Sequence, residues 1–281
     1  MKYINTHYSL FDSDTFVRYT DTNGSQYMCN GEAKLTLPAE NTKLYVSMEI
    51  YPTNICTCWP IQIYFSDGTY NSVKVSTVQI YYYYDRKELR LCTNDSERLK
   101  TVINGTYRWH KIYLVIDSVA GTIGYYLDGD KVGTYSSYVK TGVKAISCKI
   151  KTNNDSSDNY RFRIRNIIIS DQYFPINESI IVIPATVANN GFSYDESTGL
   201  YSTENEDSTL QATPDLSVLN GYKVTGCNVG MGTTELGDTI KNVKCDMGSY
   251  SDTKEIPATG KGMYFDNLPT SINNITVTSK K

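Results

Sequence analysis

The chain has 281 residues, which is long enough for two domains, and it carries a formal net charge of −3 at pH 7. A charge this small gives no general attraction to nucleic acid or to an anionic membrane. The composition includes 25 Tyr and 7 Phe among 40% hydrophobic residues, which favours β-strands because aromatic side chains fit a pleated, half-buried surface. We therefore expect an all-β protein.

The stretch KLYVSMEI at residues 43–50 is the first clear strand pattern. One face of this strand holds four aliphatic side chains, and the other holds Tyr45, Ser47 and Glu49. Only the aliphatic face is suited to a core. The pattern therefore predicts a half-buried antiparallel strand.

Trp59 follows the stretch CTC and precedes Pro60. A tryptophan in a β-rich chain either fills the core or offers a flat platform to a sugar ring. We expect Trp59 to lie in the core and keep the platform as the alternative, so it is a candidate ligand-binding residue.

Four consecutive tyrosines occur within STVQIYYYYD at residues 76–85. Tyr82 and Tyr84 continue the apolar face of this strand, whereas Tyr81 and Tyr83 share the face of its polar residues. The second pair is therefore predicted to be exposed. A tyrosine ring suits a sugar and a protein interface equally, so plain packing, a subunit interface and glycan contact all stay open.

Residues 109–135, WHKIYLVIDSVAGTIGYYLDGDKVGTY, predict a three-strand meander. Apolar side chains occupy both faces between Lys111 and Asp117, which indicates an interior strand. The small residues of SVAGT tolerate a tight reversal. Asp128 and Gly129 then supply the positive φ angles of a primed two-residue turn.

Asp128 and Asp130 are the candidate metal ligands of this turn. Hard cations such as Ca²⁺ prefer convergent carboxylate and carbonyl oxygens, and the alternative is that both residues are solvated turn residues. We predict no other cofactor. His7 and His110 lie far apart in the sequence. None of the predicted strands places two carboxylates on one face, where they could act as the acid and the nucleophile of a glycosidase. We therefore expect no enzymatic activity.

Three arginines alternate with apolar residues in YRFRIRNIIISD at residues 160–171. Arg161, Arg163 and Arg165 therefore share one face of a strand. We expect them to form cross-strand ion pairs. The alternatives are that this stripe binds an anionic sugar or another subunit, since a guanidinium group can form two parallel hydrogen bonds with a carboxylate.

The segments WHKIYLVID, YYLDGDKV and IRNIIISD, with the small loop between the first two, resemble the concanavalin A-like lectin and laminin G-like sandwich superfamily, as found in phage virion and tail proteins. The resemblance covers residues 1 to about 173 and implies a jelly roll of two packed sheets. The sugar site and the calcium pair of the legume-type lectins have no counterpart that we can place on this chain. The candidate binding residues therefore follow from strand alternation alone.

We divide the chain into three parts. Residues 1–175 are predicted to form the concanavalin A-like sandwich, residues 176–215 a connecting segment with a short β element, and residues 216–281 a small immunoglobulin-like sandwich. The chain has 7 cysteines without metal-type spacing, which we expect to be reduced thiols. Cys227 and Cys245 are the one pair to test for a disulfide.

Our first functional hypothesis is a non-enzymatic phage virion protein, a tail or capsid appendage that binds a host-surface glycan or a neighbouring subunit. It would be made in the cytoplasm without a signal peptide and would form homo-oligomers, with trimers common in fibres. The second hypothesis is a bacterial cell-surface carbohydrate-binding protein or adhesin. The third, a glycan hydrolase or lyase, requires a carboxylate pair that the pattern does not reveal.

Overall fold

The computed structural model describes residues 2–4, 11, 13–20, 26–53, 57–66, 76–93, 96–136, 144–152, 162–177, 183, 185–197, 200–224, 227–232, 239–256 and 262–281. Regular structure in these ranges is almost entirely β-strand, with short 3-10 helices at Tyr84–Arg86 and Leu216–Leu219, which confirms the all-β prediction. None of the helical segments in the described ranges is long and apolar enough to cross a membrane. The chain divides into two compact units, Met1–Ser179 and Ile180–Lys281.

The strands of the first unit are β1 (Lys2–Ile4), β2 (Ser13–Asp14), β3 (Val17–Thr20), β4 (Gln26–Cys29), β5 (Glu32–Asn41), β6 (Lys43–Tyr51), β7 (Cys58–Ser66), β8 (Ser76–Tyr83), β9 (Glu88–Thr93), β10 (Ser96–Val102), β11 (His110–Asp117), β12 (Thr122–Leu127), β13 (Asp130–Ser136), β14 (Lys144–Lys151) and β15 (Arg163–Ser170). Sheet A has the order β13-β12-β11-β6-β15-β4-β3, and β1 also pairs with β15. Sheet B has the order β10-β9-β8-β7-β14-β5-β2.

Sheets A and B enclose one apolar core. Sheet A contributes side chains such as Met48 and Leu114, and sheet B contributes Ile63, Ile80 and Leu91, all of them essentially inaccessible to solvent. Alternate residues of each strand point inwards, so each sheet has one core face and one outer face. The first unit is therefore a β-sandwich, as the sequence predicted.

The meander forms as predicted. β11 pairs with β12, β12 pairs with β13, and β6 lies on the other side of β11, so β11 is an interior strand. Asp128 has φ 53° and Gly129 has φ 94°, the positive values that a primed hairpin turn requires.

The outer face of β6 is more buried than the sequence predicted. Tyr45 is 9% exposed and Ser47 is 0% exposed. Residues 171–177, which we call the strap, return across this face after β15 and place Phe174 within 6.3 Å of the Tyr45 ring and 5.3 Å of the Tyr113 ring. The Tyr113 hydroxyl also donates to the Phe174 carbonyl at 2.8 Å. The half-buried prediction was wrong because a distant segment covers this face.

The strands of the second unit are β16 (Ala185–Asn190), β17 (Ser193–Asp195), β18 (Leu200–Ser202), β19 (Thr209–Pro214), β20 (Cys227–Gly232), β21 (Asn242–Met247), β22 (Tyr250–Glu255), β23 (Gly262–Leu268) and β24 (Ile275–Lys280). Sheet C has the order β16-β19-β24-β21-β22, while β17 pairs with β18 and β20 pairs with β23. A small apolar core joins Cys245 and Met247 of sheet C to Phe265 and Leu268 of β23.

The predicted connecting segment, residues 176–215, contributes two strands to sheet C. β16 pairs with β19 along its whole length, and β19 pairs in turn with β24 at the end of the chain. The structure therefore differs from the predicted division, because the pairing that draws β19 into the second unit is long-range and leaves no local sequence pattern.

Candidate functional site

Three side chains singled out from the sequence lie side by side in sheet B. The ring centroids of Trp59 and Tyr81 are 4.3 Å apart with the planes tilted by 40°. Those of Tyr81 and Tyr83 are 6.3 Å apart with the planes tilted by only 15°. All three side chains are partly exposed. We call Trp59, Tyr81 and Tyr83 the aromatic row.

The aromatic row follows from strand alternation and one bulge. Tyr81 and Tyr83 are two residues apart on β8, so both point outwards while Tyr82 between them is fully buried. The register of β7 against β8 shifts between the pairs Cys58 with Tyr82 and Ile61 with Ile80. Two residues of β7 therefore oppose Tyr81, and the first of them is Trp59.

Trp59 is not a core residue, contrary to our first expectation. It lies outside the apolar cluster between sheets A and B, and its ring packs on Tyr81 instead. Pro60, the second bulge residue, is buried and has no N–H to donate to the strand ladder. The bulge, which alternation alone cannot reveal, turns Trp59 towards the tyrosines.

Charged residues border one end of the aromatic row. The guanidinium carbons of Arg90 and Arg86 lie 4.9 Å and 5.8 Å from the centroid of the Tyr83 ring. Arg90 also pairs with the carboxylate of Glu88 and, at 3.1 Å, with that of Glu97. The hydrogen bond from Arg90 lowers the pKa of the Glu88 carboxyl below its ordinary value. Arg90 is thus the shared partner of both carboxylates.

The arginines of β15 lie on the outer face of sheet A, away from the aromatic row. Arg165 donates a hydrogen bond to the Glu49 carboxylate on β6 at 2.7 Å. The two residues also lie directly opposite each other in the pairing of β15 with β6. This is the expected cross-strand ion pair. The Arg165 guanidinium carbon also lies 4.0 Å from the centroid of the Trp109 ring, so one face of the fork is covered.

Arg163 makes a second set of cation–π contacts on this face. Its guanidinium carbon lies 4.8 Å from the ring centroids of both Tyr27 and Tyr51. Stacking between two rings stabilises the charge and restricts the side chain. Arg161, the third member of the predicted stripe, lies outside the described residues.

Asp128 supports the meander turn through two hydrogen-bonded contacts. Its Oδ2 lies 2.7 Å from Nδ1 of the buried His110, and its Oδ1 accepts the Lys111 N–H at 2.8 Å. The Nε2 atom of His110 lies 2.8 Å from the Gly105 carbonyl oxygen. Asp130 is exposed. In the part of the chain that the structure describes, no group of three or more His, Cys, Asp or Glu could hold a metal ion.

Cys227 and Cys245 are both thiols and lie in the same small core of the second unit. Burial raises the pKa of the Cys245 thiol to about 11 and also raises the pKa of the Cys227 thiol. Neither is therefore a ready thiolate nucleophile at neutral pH. No disulfide joins these two residues.

No family model matches the chain, and no curated protein matches it. Among solved structures, a native heptameric SAP-like pentraxin from Limulus polyphemus is similar with a TM-score of 0.38 and 18% identity, over 58% of this chain and 78% of the pentraxin. The metal-free carbohydrate recognition domain of Emp46p has a TM-score of 0.41 and 9% identity, over 62% of this chain and 100% of that domain.

A Trypanosoma rangeli sialidase in complex with 2,3-difluorosialic acid is similar with a TM-score of 0.42 and 10% identity, over 59% of this chain. The alignment spans only 31% of the sialidase. Because the TM-scores of these structures are below 0.5, the similarities carry no argument about the activity of this chain.

Proposed function

We propose that the first unit binds carbohydrate through the aromatic row and does not catalyse a reaction. The observation that carries the proposal is the packing of Trp59, Tyr81 and Tyr83, whose neighbouring ring centroids lie 4.3 Å and 6.3 Å apart while the rings stay partly exposed. The C–H faces of a sugar pack on such rings, and the tyrosine hydroxyls supply hydrogen bonds to its hydroxyl groups.

The position of the row within sheet B favours binding. β8 lies between β7 and β9, and Tyr82 fixes it to the core with a hydroxyl that donates to the Thr53 carbonyl at 3.0 Å. The rings of the row already pack on each other, so they lose little side-chain freedom when a ligand binds. On a rigid platform of this kind, the entropy cost of ordering the side chains offsets little of the contact free energy.

The carboxylates near the row support binding without hydrolysis. A glycosidase needs one carboxyl group whose pKa is raised so that it acts as an acid near neutral pH. The pKa of Glu88 is instead lowered by Arg90, which also engages Glu97. Assays for reducing ends after incubation with purified polysaccharides should therefore find no release, and measurable release would contradict this part of the proposal.

The wider role we propose is attachment, in a phage tail or capsid appendage or, as the alternative, in a bacterial surface adhesin. The division into two units supports this role, because the aromatic row belongs to one unit while the other has its own small core and sheet. Neighbouring genes separate the two settings. Portal, capsid or tail genes favour the virion, and polysaccharide-utilisation genes favour the bacterial surface.

The direct test is glycan-array binding by the full chain and by a Tyr81→Ala/Tyr83→Ala variant. We expect saturable binding of at least one glycan class by the native chain, weakened by roughly tenfold or more in the variant because two contact rings are lost.

The matched control for this test is Tyr173→Ala, which removes a tyrosine of the strap that is 70% exposed. The control should bind like the native chain. Binding that survives in the double variant, or no binding by a well-folded native chain, would contradict the proposal.

A further inference from the structure

Strand β16 is an outer strand of sheet C with one open side. It pairs with β19 from Ala185 opposite Pro214 to Asn190 opposite Thr209, and none of the other described strands pairs with it. In an antiparallel pair, alternate residues of an outer strand direct both their N–H and C=O groups away from the sheet. β16 therefore presents a row of hydrogen-bonding groups to anything that can pair with it.

Within the described residues, β16 lacks the features that usually keep outer strands from pairing. Four other outer strands of sheets A, B and C carry charged side chains at described positions, namely Arg18 in β3, Glu97 in β10, Asp130 in β13 and Asp252 in β22. Such charges discourage pairing between edges. β16, with the sequence ATVANN, has no charge, no proline and no bulge among its six residues.

All six side chains of β16 are exposed, on both faces of the sheet. The register places Val187 opposite Ala212, and Ala212 opposite Ile275, so Val187 lies on the face of sheet C that packs on the small core. Val187 is nevertheless 39% exposed, because this core does not extend to the edge. The apolar face of sheet C thus ends in an uncovered β-branched residue.

We propose that β16 pairs with β16 of a second copy of this chain, antiparallel about a two-fold axis normal to the sheet. Such an axis keeps the core faces of both copies on the same side, and it requires one residue to oppose itself. With Val187 on the axis, Ala185 opposes Asn189 and Thr186 opposes Ala188.

This register suits the side chains of β16. It places two valines together at the end of the apolar face, and it opposes no like charges. Self-pairing of β22 in the same register, with its third residue on the axis, would place two Asp252 carboxylates opposite each other. A second copy supplies a matching uncharged strand, which makes it the best-fitting occupant of β16. The proposal gives the homo-oligomer expected from the sequence a specific surface and a two-fold symmetry.

Sedimentation velocity of the full chain over a wide concentration range tests this proposal. The native chain should show a monomer–dimer equilibrium. Val187→Lys places two ammonium groups opposite each other on the axis, so it should weaken the dimer by roughly tenfold or more. Because Val187 is exposed, the variant should keep the native circular dichroism and unfolding transition.

The matched control is Thr253→Lys, which adds the same charge to an exposed position on the opposite outer strand of sheet C. It should dimerise like the native chain. A native chain that stays monomeric at every concentration, a Val187→Lys dimer as stable as the native one, or equal weakening by both variants would each overturn the proposal.

Discussion

Two fully buried tyrosines of the first unit differ in what their hydroxyl groups contact. The Tyr82 hydroxyl donates to the Thr53 carbonyl at 3.0 Å. The Tyr125 hydroxyl has no hydrogen-bond partner among the described residues, and desolvation raises the pKa of Tyr125 well above its ordinary value. A buried polar group without a partner costs about 1–3 kcal/mol of stability. The ring of Tyr125 therefore stabilises the core while its hydroxyl opposes folding.

The substitution Tyr125→Phe should leave the free energy of unfolding unchanged or raise it by about 1 kcal/mol, because it removes only the unsatisfied hydroxyl. The matched variant Tyr82→Phe should lower that free energy by about 1 kcal/mol, because it leaves the Thr53 carbonyl without its donor. Urea unfolding of both variants checks the contrast. Equal losses in the two variants would show that the Tyr125 hydroxyl is satisfied in solution.

Alternation along a strand is enough to predict which tyrosines point outwards. Tyr81 and Tyr83 are separated from the buried Tyr82 by one position each, so their shared face is readable from the sequence. Trp59 was not predictable in this way. Its position beside Tyr81 depends on a bulge in the pairing of two strands, which strand alternation does not report and for which Pro60 is the one local signal.

At the scale of elements, the turn between β11 and β12 is held by the last residue of β11. The Asp117 carboxylate accepts the N–H groups of Ala120 at 2.8 Å and Val119 at 3.1 Å, and Lys43 of β6 lies 3.3 Å away. The hydrogen bond from Ala120 is the main cause that lowers the pKa of Asp117, and Lys43 adds to it. The ionised carboxylate thus ties the turn to two strands.

The lowered pKa gives this turn a defined pH dependence. Because the pKa of Asp117 is lower in the folded chain than in the unfolded chain, its stabilisation is fully present above the unfolded value. It is lost as the pH falls through the folded value. The first unit should therefore lose part of its stability in acid through this residue.

Replacing Asp117 with Asn should lower the free energy of unfolding by about 1 kcal/mol at neutral pH, because the amide accepts these hydrogen bonds less strongly than a carboxylate. The loss should shrink in acid, where the native carboxylate becomes protonated. Urea unfolding at a series of pH values measures this. Asp130→Asn, at an exposed carboxylate, is the control that should change nothing, and a loss independent of pH in Asp117→Asn would contradict the account.

At the scale of the whole molecule, local sequence patterns were enough to predict the sandwich. The features that were not predicted depend on contacts between residues far apart in the sequence. The meander and its Asp128-Gly129 turn involve neighbours in sequence, so their signals are local. The strap covers Tyr45 from a distant part of the chain, which no alternation pattern reports. The pairing of β19 with β24 is similarly distant, and it moves residues of the predicted connection into the second unit.

Carbohydrate binding by the aromatic row is the main proposal for the whole molecule, and it can be tested by fluorescence. The chain contains only 2 tryptophans. Trp59 lies in the row on sheet B, whereas Trp109 packs on Arg165 at the outer face of sheet A. Trp109→Phe and Trp59→Phe therefore each leave one reporter, on opposite faces of the same sandwich.

The measurement is a fluorescence titration of both single-tryptophan variants with a glycan that binds on the array. We expect saturable changes in the emission of Trp59 in the Trp109→Phe variant, because a sugar stacked on the row changes the polarity around that indole. The emission of Trp109 in the Trp59→Phe variant should stay constant. Saturable changes at Trp109 with none at Trp59 would place the glycan on the opposite sheet and contradict the account.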